Sequence, residues 1–323
     1  MIVGLFRNNR PITLLFLPIA AIALWYSDFS LSTKPAGDGL FLYNWLLSIC
    51  GTSLFVTQLV AVSLIIIGSI LLYWILERND ILTNRNFLPS LMYIVLLSCS
   101  GALIRLHPAL LANIFLILAL NPLIALYRNE DAFTQVYNLG LFFGLAVLSY
   151  LPVLVLLPLI WIGLLIYHSF NYREWTVAIV GLLTPFLFLF TYLFWNDKLN
   201  SFYTNEILYS LAQNHTPSEL AKNTYYLLIA LLSLIGLSTI KVLEHSGSTA
   251  VKTGKTMSFL VWMIFFAFFT VLIMPTWTSR DFALMALPLS IFIGNYLSLA
   301  RAKWMAELFF GFLLFSIILL RYF

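Results

Sequence analysis

Along most of the chain, apolar residues run on for about 16 to 25 positions at a time, and short polar stretches break them. The runs lie near 11–26, 52–76, 87–106, 108–127, 132–150, 151–169, 174–195, 224–242, 257–278, 282–300 and 303–320. That is the length a helix needs to cross the hydrocarbon layer of a bilayer. The pattern therefore predicts an all-α, polytopic transmembrane helical bundle of about eleven spans, with residues 1–323 forming a single integral membrane domain. Arg7 and Arg10 precede the first run, and Trp25 and Tyr26 follow it in the manner of aromatic belt residues, so this run reads as an uncleaved anchor. Residues 27–51 contain Asp28 and Asp38 and then LFLYNWLLSIC, which is too short to span and predicts a helix lying in the interface. Residues 196–223 form a second long connection, and tight turns occur at RLHP (105–108), SYLP (149–152) and PTWTSRD (275–281).

Composition sharpens this picture. Hydrophobic residues make up 62% of the chain and charged residues 9%, where a soluble domain carries charge at about a quarter of its positions. Placing the N-terminus inside and alternating the spans puts 11 of the 17 Lys and Arg residues on the inner side and 6 on the outer. The inner set is Arg7, Arg10, Arg78, Arg85, Arg128, Arg173, Lys241, Lys252, Lys255, Arg301 and Lys303; the outer set is Lys34, Arg105, Lys198, Lys222, Arg280 and Arg321. The positive-inside rule then gives an N-in, C-out topology. The net charge of +4 reflects these cationic loops and does not point to nucleic acid.

Candidate chemistry is sparse. Arg105 and Arg280 stand at tight turns on the outer side, where arginine is unusual, with Asp28, Asp38 and Asp281 on the same side. A planar guanidinium suits a phosphate through paired, charge-assisted hydrogen bonds. His107 adjoins Arg105 and adds a possible donor, although an exposed interfacial histidine is the simpler reading. The four histidines divide two outside and two inside, so no shared metal site and no cofactor are expected. Cys50 and Cys99 read as unpaired apolar cysteines, and SCSG (98–101) as a helix-packing face. Neither a phosphate-binding loop nor a dinucleotide fingerprint occurs. Gln58, Asn113, Asn121, Gln135, Asn138 and Asn295 lie within runs and predict interhelical hydrogen bonds, and Glu307 predicts a local pair with Lys303. No pair of acids sits mid-span, which disfavours proton-coupled transport. Asp38 precedes the interfacial helix and has a second possible role as its N-cap.

The stretch NIFLILALNPLIALYRNEDAFTQVYNLGLFFGLAVLSYLPVLVLLPLIWIGLLIYHSFNYREW resembles the middle of GT-C superfamily glycosyltransferases, in which a basic inner turn precedes a tight outer hairpin. SRDFALMALPLSIFIGNYL (279–297) is similar to a late arginine-bearing span of the same superfamily, and the whole chain is similar to a membrane family of Bacteroidota to which no activity is attached. The GT-C resemblance implies transfer of a sugar from a polyprenyl-phosphate lipid at the outer face. Asp28 or Asp38 would be the acidic residue that acts as base or positions the acceptor, and Arg105 and Arg280 with His107 would hold the phosphate. The first outer loop is shorter than that superfamily's and lacks a paired acidic motif. Two alternatives stay open: a non-catalytic scaffold or subunit of a cell-envelope complex, and a lipid or solute transporter. Membrane lipids are the expected partners in all three cases.

Overall fold

The computed structural model describes residues 2–7, 11–25, 39–51, 53–82, 85–99, 103–129, 132–168, 170–202, 204, 251–273, 282–299 and 303–322. Every regular element among them is helical. In chain order they are α1 (Ile2–Arg7), α2 (Pro11–Trp25), α3 (Phe41–Cys50), α4 (Leu54–Arg78), α5 (Leu88–Leu97), α6 (Pro108–Ala125) and α7 (Phe133–Ser149). A 3-10 turn (Leu151–Leu156) leads to α8 (Pro158–Tyr167) and α9 (Tyr172–Trp195), followed by α10 (Leu199–Phe202), α11 (Val251–Ile273), α12 (Ala283–Leu299) and α13 (Lys303–Tyr322).

Four of these are long and apolar enough to cross a membrane: Leu54–Arg78, Pro108–Ala125, Tyr172–Trp195 and Val251–Thr270. Most of the other apolar helices are shorter, and two expected spans break for identifiable reasons. The run 87–106 is helical only over Leu88–Leu97, a rod of about 15 Å at 1.5 Å per residue. Ser98 ends it: its backbone N–H and its hydroxyl both donate to Ile94 O, and the hydroxyl also accepts from Trp25 Nε1 at 3.0 Å. The run 151–169 opens as a 3-10 turn because Pro152 and Pro158 have no N–H to give an α-helical ladder. Val153 N and Leu157 N instead reach back three residues, to Tyr150 O and Leu154 O. The expected span at 224–242 lies outside the described residues.

All ten residues of α5 are buried, and so are fifteen on α12, the helix it packs against. Gly294 lets α12 approach Pro89 so closely that a Cβ there would meet the α5 backbone at 2.5 Å. Trp25, expected in an aromatic belt, is 0% exposed and hydrogen-bonded within the core. At the periphery α7 meets α9 backbone to backbone. A Cβ at Gly140 would strike Ala178 O, one at Gly144 would strike Leu182 O, and one at Gly181 would strike Tyr137 O. Gly140 and Gly144 form the G-x-x-x-G spacing of close membrane-helix pairs.

Three in-span polar residues bond between elements as expected. Gln58 donates to Ile104 O, Asn113 to Ala283 O at 2.7 Å, and Asn79 to Asn121 Oδ1 at 3.3 Å. Glu307 accepts from Gly4 N at 3.1 Å, which ties α13 to α1.

Candidate functional site

The bundle has two chemically different ends, separated by the 25 residues of α4, about 37 Å of helix. At the C-terminal end of α4, Asn79 bonds to Ile75 O and Asn121 and accepts from Lys252 Nζ at 3.4 Å. Lys255 Nζ donates to Tyr167 O, and Arg85 pairs with Asp80 at 3.3 Å and Glu77 at 3.8 Å. His168 lies between Leu126 O, 2.8 Å from Nε2, and Glu174, 3.2 Å from Nδ1. A carbonyl only accepts, so Nε2 carries a proton. Arg78, Arg128 and Arg173 each lie over the aromatic ring of a neighbouring residue. Every cation named here belongs to the inner set.

The opposite end contains the RLHP turn. Pro108 opens α6, where its missing N–H leaves no gap in the helix ladder, and His107 before it is extended (φ −139°, ψ 154°). Two long-range donors hold the turn. Tyr43 of α3, itself fully buried, donates its hydroxyl to Leu106 O at 2.9 Å, and Gln58 of α4 donates to Ile104 O at 3.3 Å. The carbonyls on both sides of Arg105 are thus fixed by side chains more than forty residues away in the chain. The third contributor is α3, whose N-cap residue Leu40 donates its N–H to Ser149 O in the SYLP turn at 3.3 Å.

Arg105 is half-buried in this clamp. Its Nε is buried without a hydrogen-bond partner, and among the described residues no carboxylate pairs with it. A guanidinium stays charged at any ordinary pH, and a buried, unpaired donor on it is costly.

His107 differs from the sequence expectation of an exposed interfacial histidine: it is 0% exposed. The helix expected to lie in the interface is present as α3. It is docked on the RLHP and SYLP turns through Tyr43 and Leu40, while Trp45 and Ile49 remain exposed. Its N-cap is Leu40, two residues beyond Asp38, so the capping expected of Asp38 is not how α3 starts. Asp28, Asp38 and Arg280 lie outside the described residues. Phe282, where α12's described chain begins, follows Arg280 by two positions, and Asn113 of α6 holds the neighbouring Ala283. Sequence reasoning missed Tyr43 and Gln58 as the turn's supports. Their one local signal is a polar atom inside an apolar run.

Among the described residues the protein is thus all-helical, with four membrane-length helices and a clamped turn that carries Arg105. Residues 38–323 match the family of unknown function DUF6427, and the chain belongs to that family. No curated protein and no solved structure matches it.

Proposed function

We propose that the protein is a multi-pass, N-in component of a bacterial inner membrane that binds the phosphate of a polyprenyl-phosphate-linked sugar at the outer face, in the manner of a glycosyltransferase. The observation that carries this reading is Arg105, whose Nε is buried and unpartnered between two clamped carbonyls. Rigid placement of a cation is what phosphate recognition needs, because a leaving phosphate gains charge that fixed positive groups stabilise. In this reading Arg280 is the second phosphate ligand. Asp28 or Asp38 accepts the proton of the attacking hydroxyl. His107 is buried in the same turn. The gathering of the inner-set cations at the far end of α4 supports the N-in orientation.

Single Arg105→Lys and Arg280→Lys variants test the phosphate reading, because a point charge does not reproduce a bidentate pair. Both are expected to bind polyprenyl phosphate more weakly than wild type, and wild-type binding by both would remove the clamp. Asp28→Asn and Asp38→Asn test the transfer step. One of them is expected to abolish sugar transfer while membrane insertion stays intact, and full transfer by both would leave a lipid-binding subunit without catalysis.

A further inference from the structure

A groove of about 370 Å³ lies between α3, α7 and α9, and no charged side chain lines it. We propose that it holds the hydrocarbon chain of the same lipid whose phosphate Arg105 receives, so that α3 separates headgroup from chain. This rests on reading Arg105 as a phosphate ligand.

Three observations support it. The first is position. Phe41 and Leu42 of α3 line the groove, and the next residue, Tyr43, holds Leu106 O beside Arg105. Consecutive Cα atoms are about 3.8 Å apart, so groove and cationic turn are neighbours across a single helix.

The second is direction. The α7 wall runs from Leu141 to Leu148 and the α9 wall from Thr184 to Tyr192, roughly 10 to 12 Å along the helix axes. A slot parallel to membrane spans, starting at their headgroup end, has the orientation of a lipid chain in one leaflet. At roughly 30 Å³ for each methylene-sized group, taking the volume share of a water molecule as the yardstick, it takes on the order of a dozen carbons. That suits the first part of one extended chain.

The third is chemistry. The Thr184 hydroxyl is already used, donating to Val180 O at 2.7 Å and accepting from Tyr137 at 3.1 Å, which leaves its methyl to the groove. At the head end Phe41 meets Tyr192 edge to face, with ring centroids 5.9 Å apart. The slot is almost wholly apolar, and the phosphate of an occupying lipid lies on the side of Arg105, whose Nε is buried without a hydrogen-bond partner.

The experiment uses the full chain in phosphatidylcholine nanodiscs and a polyprenyl phosphate with a photoactivatable diazirine in its first isoprene units. Irradiation of wild type is expected to label peptides containing Leu145, Leu148 or Leu189. Excess unlabelled polyprenyl phosphate is expected to suppress the labelling, whereas inorganic phosphate at the same concentration is not. Labelling spread over the outward faces of α4 and α9, or unaffected by the competitor, would overturn the proposal. Affinities separate the two layers of the argument. Leu145→Trp fills the groove and is expected to weaken polyprenyl phosphate binding at least tenfold while leaving isopentenyl phosphate, which has almost no chain, unchanged. Arg105→Ala is expected to weaken both ligands. Unchanged polyprenyl phosphate affinity in a folded Leu145→Trp protein overturns the groove alone. Unchanged affinity in Arg105→Ala overturns the phosphate reading and the proposal with it. If Leu145→Trp does not fold, the wild-type labelling decides.

Discussion

Arg105 is held by residues that hold its neighbours. Tyr43 and Gln58 bond the carbonyls of Leu106 and Ile104, so the arginine's backbone has little freedom even though its Nε has no partner. Removing the Tyr43 hydroxyl leaves a buried carbonyl unpaired, a loss of about 1–3 kcal/mol. Tyr43→Phe is therefore expected to lower the unfolding midpoint in detergent and also to weaken lipid-phosphate binding, although Tyr43 itself touches no phosphate. A drop in stability with unchanged binding would show that the clamp is only structural. Arg105 was legible in the sequence, because a lone cation at a tight turn between apolar runs stands out. The clamp was not, because a tyrosine and a glutamine in apolar helices carry no mark of the partner they will meet.

At the scale of elements, the close pair α7–α9 depends on absent side chains. Gly140, Gly144 and Gly181 let the two backbones touch, and α9 has little else inside the bundle: only 28% of its apolar window is buried. Gly181→Leu would push Tyr137 and its helix away, an overpacking cost of typically 1–3 kcal/mol. It is expected to reduce the yield of folded protein and the resistance of α9 to proteolysis, and a wild-type melting profile would argue against this contact. The long helices α4, α6 and α9 could be read from the chain because their apolar runs match the bilayer. The break in α5 could not, because it depends on Ser98 meeting Trp25 seventy-three residues earlier. The 3-10 opening of α8 had a local signal in Pro152 and Pro158, but proline inside a membrane run more often means a kink than a change of helix type.

Across the molecule, cations among the described residues stand near both ends of α4. One end holds Arg85, Lys252 and Lys255 in a hydrogen-bonded network, and the other holds Arg105 in a clamp. Which end faces the cytoplasm is the expectation that reporter fusions test. A fusion after Asn214 is expected to read outside and one after Ser248 inside, and the reverse pair would place Arg105 in the inner leaflet. The carboxylates that would convert lipid binding into sugar transfer are matters of sequence, since Asp28 and Asp38 lie outside the described residues.

The central claim is that Arg105 exists to hold a lipid phosphate. Native mass spectrometry of the protein released from its own membrane tests it most directly, by comparing wild type with Arg105→Gln. Wild type is expected to carry a bound, phosphate-bearing lipid. The variant, lacking a charge-assisted contact of roughly 1.5–3 kcal/mol, is expected to retain it at least tenfold less. Equal retention of the same lipid by both proteins would contradict the account.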